Sequence, residues 1–167
     1  MSQKIFGITG WKNSGKTTLT ERLVRCLTAR GHRISTIKHA HHAFDIDHEG
    51  TDSWRHRKAG AAEVAIVSSH RFAIMNENLD DGEPSLSQIV AKLGPCDLIL
   101  VEGYKREPHR KIEIRRNGGH EGPHLSKTDP GVVAVVSDMP QNDESLPVFD
   151  INAIDEIADF IEQEMAI

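Results

Sequence analysis

Short apolar, β-branched runs alternate along this chain with longer stretches whose apolar residues recur every three or four positions. Residues 4–9 (KIFGIT) form one such run and lead into Gly10, which suits a buried strand. From about residue 16 to residue 30, Leu19, Leu23, Val24 and Leu27 share one helical face, and Gly31 offers a left-handed stop. Residues 34–38 (ISTIK) read as the next strand. Strand, helix, strand in this order implies a right-handed crossover and a parallel sheet.

The remaining pattern supplies the other elements. Residues 39–50 are polar and aperiodic, hence a loop, and Thr51 or Asp52 opens a short helix that Gly60 closes. Residues 63–68 and 71–76 flank Ser69 and His70 as a hairpin. Residues 78–84 are acidic and turn-rich, and Ser85 begins a helix carrying Leu86, Ile89, Val90 and Leu93. The run 98–101 (LILV) is the most apolar and is expected at the centre of the sheet. A basic loop over 104–110 leads to residues 111–115 (KIEIR), whose alternation predicts a half-exposed strand. Residues 117–130, rich in Gly, His and Pro, are expected to form a mobile loop. Residues 132–136 give a further buried strand, 148–151 a short last one, and 153–165 an amphipathic closing helix. Together these predict an α/β fold in one domain over residues 1–167, with a mostly parallel central sheet and helices on both faces.

Composition narrows the function classes. With 38% hydrophobic and 27% charged residues the chain is expected to fold, not to stay disordered. Its 20 Lys and Arg against 25 Asp and Glu give a net charge of -5, which argues against a nucleic-acid partner. No apolar run approaches transmembrane length and the first residues lack a signal-peptide core, so no membrane association is expected and a cytoplasmic location is. Cys26 and Cys96 lie far apart without a CxxC pair and read as small hydrophobes, not as a disulfide.

The chemistry is carried by residues 10–17, Gly-Trp-Lys-Asn-Ser-Gly-Lys-Thr, which fit G-x-x-x-x-G-K-[ST] between a predicted strand and a predicted helix. Gly10 and Gly15 let the backbone wrap a phosphate where a Cβ would collide. Amides from Asn13, Ser14, Gly15, Lys16 and Thr17, with Thr18 following them, then face a β-phosphate from the positive end of the helix. Lys16 reaches the β- and γ-phosphates, and the Thr17 hydroxyl serves Mg²⁺. A second acid is needed at the end of a buried strand. Asp97 precedes the run 98–101 and Glu102 follows it; because ligands gather at the carboxyl ends of parallel strands, Glu102 is assigned the magnesium-facing and catalytic role beside Lys16. Gly103 is read as letting the next loop pass close to the γ-phosphate.

Further segments carry a resemblance. Residues 37–42 (IKHAHH), Asp45-Ile46-Asp47, Thr51-Asp52-Ser53, residues 57–61 (RKAGA) and residues 98–105 (LILVEGYK), together with the P-loop, resemble the MobB family of molybdopterin-guanine dinucleotide biosynthesis adaptor proteins, over nearly the whole chain. The resemblance implies a P-loop NTPase fold, single-domain over residues 1–167, in a protein that binds GTP with Mg²⁺, hydrolyses it weakly and forms homodimers. It implies an auxiliary role beside the guanylyltransferase that joins GMP to molybdopterin, so molybdopterin or its guanine dinucleotide enters as a ligand.

Several constellations remain open at this level. Lys38 and His39, at the carboxyl end of the second strand, are candidates for phosphate contact, with a solvated loop or a metal site including His41 and His42 as alternatives. Asp45, Asp47 and Asp52 suit magnesium waters or plain turn and capping chemistry. Arg57 and Lys58 suit an anionic partner or a solvated face. Asp138, after a late strand, is positioned to accept the guanine donors that adenine lacks, although the usual Asn-Lys before it is missing. A small-molecule kinase is the competing reading, with Lys105, Arg106, Arg110 and Lys111 imitating its lid; a nucleotide-binding scaffold without turnover is the third. The hairpin 63–76 carries more apolar residues than one buried face needs, which predicts a homodimer through it.

Overall fold

The computed structural model describes residues 3–40, 44–78, 82–120 and 122–167. Its backbone contacts divide it into two compact units, residues 1–39 with 93–167, and residues 40–92.

The first unit is built on a six-stranded sheet in which every pairing is parallel. In chain order its elements are β1 (Ile5–Thr9), α1 (Lys16–Ala29), β2 (Ile34–Lys38), β5 (Leu98–Glu102), β6 (Lys111–Arg115), β7 (Val132–Ser137), β8 (Val148–Asp150) and α4 (Ile154–Met165). The strands lie in the order β2-β5-β1-β6-β7-β8. The apolar run of β5 is inside the sheet, but the middle belongs to β1 and β6. Because side chains alternate between faces along a strand, Phe6, Ile8, Leu98, Leu100, Ile112, Ile114, Ala134 and Val136 meet on one face. There they join Leu19, Leu23 and Leu27 of α1 and Ile157, Ala158 and Ile161 of α4 in a single buried cluster. Both helices of this unit therefore pack on the same face. Arg30, at the end of α1, is hydrogen-bonded to Asp155, Asp159 and Glu162 of α4 and ties the two together.

The opposite face corrects one expectation. Strand β6 is not half-exposed: all five of its residues are buried, Lys111, Glu113 and Arg115 included. The cause is that two connecting segments close over it and bring partners. Lys111 donates to the Lys105 and Glu107 carbonyls and pairs with Asp129 at 2.8 Å. Glu113 accepts from the amides of Leu125 and Ser126 and from Arg115, which also binds Glu144 at 2.9 Å. The segment expected to be a mobile loop is thereby tied to the sheet through a 3₁₀ turn, Leu125–Lys127. Burial works against the charge of Glu144, yet hydrogen bonds from Ser126 and Arg115 and from two amides hold its carboxyl down at about 2.

Nearer β1, Gly7 leaves room for the ring of His109, whose Nε2 lies 2.5 Å from the position a Cβ would take. Both ring nitrogens of His109 are buried without a partner among the described residues.

In the second unit, α2 (Asp52–Lys58) precedes an antiparallel hairpin of β3 (Glu63–Val67) and β4 (Phe72–Asn76), and α3 (Leu86–Lys92) follows. Thr51 stands at the N-cap of α2, but its hydroxyl donates to the His48 carbonyl and caps no helix amide. No described helix is long and apolar enough to cross a membrane.

Burial first, then the nearby Lys111 charge, pushes the His109 pKa down to about 4, from an ordinary 6.5. The unfolded chain takes up this proton as pH falls through 6.5, the folded chain only near 4, so folded-state stability present above pH 6.5 is lost progressively between 6.5 and 4. Urea unfolding of the wild type and of His109→Leu across pH 7.5 to 5 tests this. The wild-type midpoint is expected to fall more steeply below pH 6.5 than the variant's; parallel curves would contradict a buried neutral ring.

Candidate nucleotide site

The site is assembled where β1 hands over to α1. Gly10 has φ +151°, and a Cβ on it would stand 2.6 Å from the Ile114 carbonyl oxygen and 2.7 Å from Ser14 Oγ. Only glycine tolerates that turn. Asn13 (φ +63°) and Gly15 (φ +93°) continue the wrap, and Gly15 becomes the N-cap of α1. No side chain caps this helix and no acid lies in its first turn. Its first amides, Lys16, Thr17 and Thr18 among them, lack intrahelical acceptors, and the dipole leaves this end positive. Such an end is prepared for an anion.

Side chains gather around it from α1 itself, from the ends of β2 and β5 and from the segment after β5. Lys16 Nζ donates to the carbonyls of Trp11 (2.7 Å) and Gly10 (3.2 Å), which curls the ammonium over the loop. In the parallel register Ile8 of β1 lies opposite Glu102 of β5, and Glu102 opposite Lys38 of β2. Glu102 thus emerges next to the loop, where the Thr17 hydroxyl donates to it at 3.0 Å (Oε1) and 3.2 Å (Oε2). Lys38 Nζ approaches within 3.5 Å of Thr17 Oγ1 and 3.6 Å of Glu102 Oε1. Lys105 stands over the Trp11 ring, 4.0 Å from its centroid. Burial and the charge of Lys105 lower the Lys16 pKa; Glu102 works in the other direction and Lys38 lowers it again. A hydroxyl and a carboxylate in contact, flanked by cations, form a hard-oxygen set that suits Mg²⁺ beside phosphate oxygens. Asp97, at the other end of β5, accepts instead from the Arg33 amide at 2.7 Å.

The other candidates separate. His39 donates its amide hydrogen to the Glu102 carbonyl (2.9 Å), and its ring centroid lies 4.7 Å from that of Tyr104. Gly103 (φ +97°) is the reason they fit, because a Cβ there would be 3.0 Å from His39 Cβ. The close approach this glycine permits is thus to His39. His41 and His42 lie outside the described residues. Asp138 follows β7 on the surface, and its Oδ1 accepts from the Asn117 amide at 2.9 Å. Within residues 40–92, Asp45 and Asp47 grip Arg57 at 2.8 and 2.7 Å and Glu77 adds a third contact, so Arg57 is no solvated face. Lys58 lies 5.8 Å from the Trp54 ring centroid, and Asp52 occupies the first turn of α2.

Two features were missed in the sequence. Lys105, which only the competing kinase reading singles out, as a lid residue, stands at the P-loop over the Trp11 ring; its local signal is the two-residue step from Gly103. A cavity of about 310 Å³ opens beside Trp11 and Ser14, at the carboxyl ends of β6 and β7. No motif announced it.

Comparison with known proteins places the fold. The family described as "Molybdopterin guanine dinucleotide synthesis protein B" matches residues 5–138. A molybdopterin-guanine dinucleotide biosynthesis adapter protein of Escherichia coli is 40% identical over 96% of this chain and 93% of its own length. The protein of the same description from Haemophilus influenzae is 43% identical over 95% and 87%. Among solved structures, a MobB homolog from Bacillus stearothermophilus aligns with a TM-score of 0.71 at 26% identity, covering 97% of both chains. A molybdopterin-guanine biosynthesis protein B aligns with a TM-score of 0.74 at 26% identity, covering 96% of this chain and 99% of that one. With a P-loop, a parallel sheet and near-complete coverage in agreement, the chain belongs to the MobB family of molybdopterin-guanine dinucleotide biosynthesis adapter proteins.

Proposed function

We propose that this chain binds GTP with Mg²⁺ in the P-loop, hydrolyses it weakly at most, and acts in the cytoplasm as a homodimeric auxiliary to the guanylyltransferase that makes molybdopterin guanine dinucleotide. The observation that carries the reading is the Thr17–Glu102 contact at the uncapped end of α1, with Lys16 and Lys38 beside it. In this reading the amides of residues 13–18 and the Lys16 ammonium hold the phosphates. Lys16 exchanges the carbonyls of Gly10 and Trp11 for phosphate oxygens, which are the stronger acceptors. Thr17 and Glu102 hold the metal, directly or through water. When bound, Mg²⁺ neutralises phosphate charge. Lys38 adds a cation on the same flank, and the His39 amide bond to Glu102 fixes that strand end. Asp138 keeps one carboxylate oxygen on the Asn117 amide and offers the other to guanine.

The homodimer reading rests on the hairpin. Ala65, Val67, Phe72 and Ile74 share one face by cross-strand register, and Val67, Phe72 and Ile74 are 75%, 71% and 61% exposed. On the reverse face Val64 is buried. A contiguous apolar patch on a two-stranded sheet is the kind of surface that a second copy covers about a two-fold axis.

Calorimetry with GTP and Mg²⁺ tests the site. Lys16→Ala is expected to weaken GTP binding about a hundredfold or more without lowering the melting temperature, since charge-assisted bonds are lost and core packing is not. Unchanged affinity in the folded variant would sink the P-loop assignment.

Base choice is tested by competition. Asp138→Asn should erode the GTP-over-ATP preference roughly tenfold, because an amide whose single oxygen serves Asn117 turns an NH2 donor toward the guanine donors. Equal competition by ATP in the wild type would end the idea.

Light scattering at micromolar concentration should return twice 18.6 kDa for the wild type. Phe72→Glu or Ile74→Glu should yield a folded monomer. A dimer indifferent to both charges would move the interface off the hairpin.

A further inference from the structure

The chain leaves β5 through two consecutive left-handed residues, Gly103 (φ +97°) and Tyr104 (φ +47°). The Gly103 amide donates to the Ile8 carbonyl at 3.3 Å, so the turn begins against the end of β1. Beyond it the segment is pinned. Lys111, fully buried, donates to the carbonyls of Lys105 (3.3 Å) and Glu107 (2.6 Å) and is itself held by Asp129. The Glu107 amide in turn donates to the Tyr104 carbonyl at 3.1 Å. The backbone of residue 105 is therefore fixed on both sides, and its flexible four-carbon stem is the part left to move.

The Lys105 ammonium rests 4.0 Å from the centroid of the Trp11 ring, and no hydrogen bond or ion pair holds it among the described residues. The ring is a fixed seat, since Trp11 Nε1 donates to the Pro123 carbonyl at 3.0 Å. Burial lowers the Lys105 pKa, and the charge of Glu113 opposes this. Glu113 is already engaged, however, by Arg115 and by two amides. Lys105 in turn lowers the pKa of Lys16, whose ammonium is bonded to the Trp11 carbonyl at 2.7 Å. Two ammonium groups thus converge on one P-loop residue, one at its ring and one at its carbonyl. Like charges so placed are relieved by an anion that receives both. A cation–π contact on a partly exposed ring is weak, and a charge-assisted bond to a phosphate oxygen is stronger.

We propose that Lys105 is the residue by which this site distinguishes a nucleoside triphosphate from a diphosphate, its ammonium leaving Trp11 for the terminal phosphate. The inference rests on the nucleotide reading of the P-loop and adds a discriminating group to it. The amides of residues 13–18 close around the β-phosphate, which both nucleotides carry. Mg²⁺ bridges β- and γ-oxygens, so Thr17 and Glu102 mark the side on which the terminal phosphate lies. Lys105 follows Glu102 by three residues in the chain and shares Trp11 with Lys16. A γ-phosphate between the two ammonium groups satisfies both. A diphosphate ends one group short and leaves Lys105 on the indole.

Calorimetry compares GDP with the non-hydrolysable guanosine 5′-(β,γ-imido)triphosphate, each with Mg²⁺, on the wild type, Lys105→Met and Lys105→Arg. Methionine keeps an apolar stem for Trp11 and removes the charge; arginine returns the charge. In Lys105→Met the dissociation constant of the imidotriphosphate is expected to rise about tenfold while that of GDP stays within about twofold. Lys105→Arg is expected to recover most of the loss. A charge acting only through the general field of the site weakens both nucleotides together, so equal losses would overturn the proposal. So would an imidotriphosphate affinity that Lys105→Met leaves unchanged. The two readings fail differently. If neither nucleotide binds the wild type, the nucleotide reading falls and takes Lys105 with it; if both bind and Lys105→Met weakens them alike, only the role of Lys105 is lost.

Discussion

The abrupt change of direction between β1 and α1 is the constraint on which the rest depends. At Gly10 a Cβ is excluded by the Ile114 carbonyl and by Ser14, and at Gly15 the backbone is left-handed. These two positions start a helix immediately above a central strand, with its positive end free of any capping side chain. An uncapped end over a buried sheet is electrostatically unfinished. The parallel register completes the neighbourhood, because it brings Glu102 and Lys38 level with the end of β1. The chemistry of the site therefore follows from strand order: β5 delivers an acid to one flank, β6 an arginine to the other.

Stability and function draw on opposite faces of the same strands. Ile112 and Ile114 of β6 fill the apolar core under α1 and α4. Lys111, Glu113 and Arg115 face the other way and work as anchors for connecting segments that no hydrophobic cluster holds. Such buried ion pairs gain little over apolar packing, but losing one partner leaves a stranded charge, which makes them strict about where their loops sit. That strictness keeps residues 117–120 and 122–127 against the P-loop, and it gives the cavity its wall.

How much of this was legible follows from range. The strands and helices emerge at nearly their observed bounds because apolar period, glycine stops and strand composition act within a few residues. The P-loop was legible because its roles are set by spacing, and Glu102 was preferred to Asp97 on the argument that ligands collect at carboxyl strand ends; Asp97 is indeed at the other end, on the Arg33 amide. The burial of β6 was not legible. Lys-Ile-Glu-Ile-Arg has the same alternation whether its polar face meets water or Asp129 and Glu144, and those partners lie 18 and 29 residues from the groups they pair with. Arg57 was obscure for a similar reason, since Asp45, Asp47 and Glu77 reach it from both sides of α2 in sequence.

Gly103 shows a close approach that the sequence does not disclose. A glycine after the acid of a buried strand suggests a loop passing close to phosphate, and the positive φ fits that idea. What fills the space is His39, whose backbone is bonded to Glu102 and whose ring meets Tyr104. The glycine thus joins the end of β5 to the segment leaving β2, where the Glu102 carbonyl just before it accepts from the His39 amide. The carboxyl ends of β2 and β5 are thereby joined by backbone as well as by the Lys38–Glu102 ion pair.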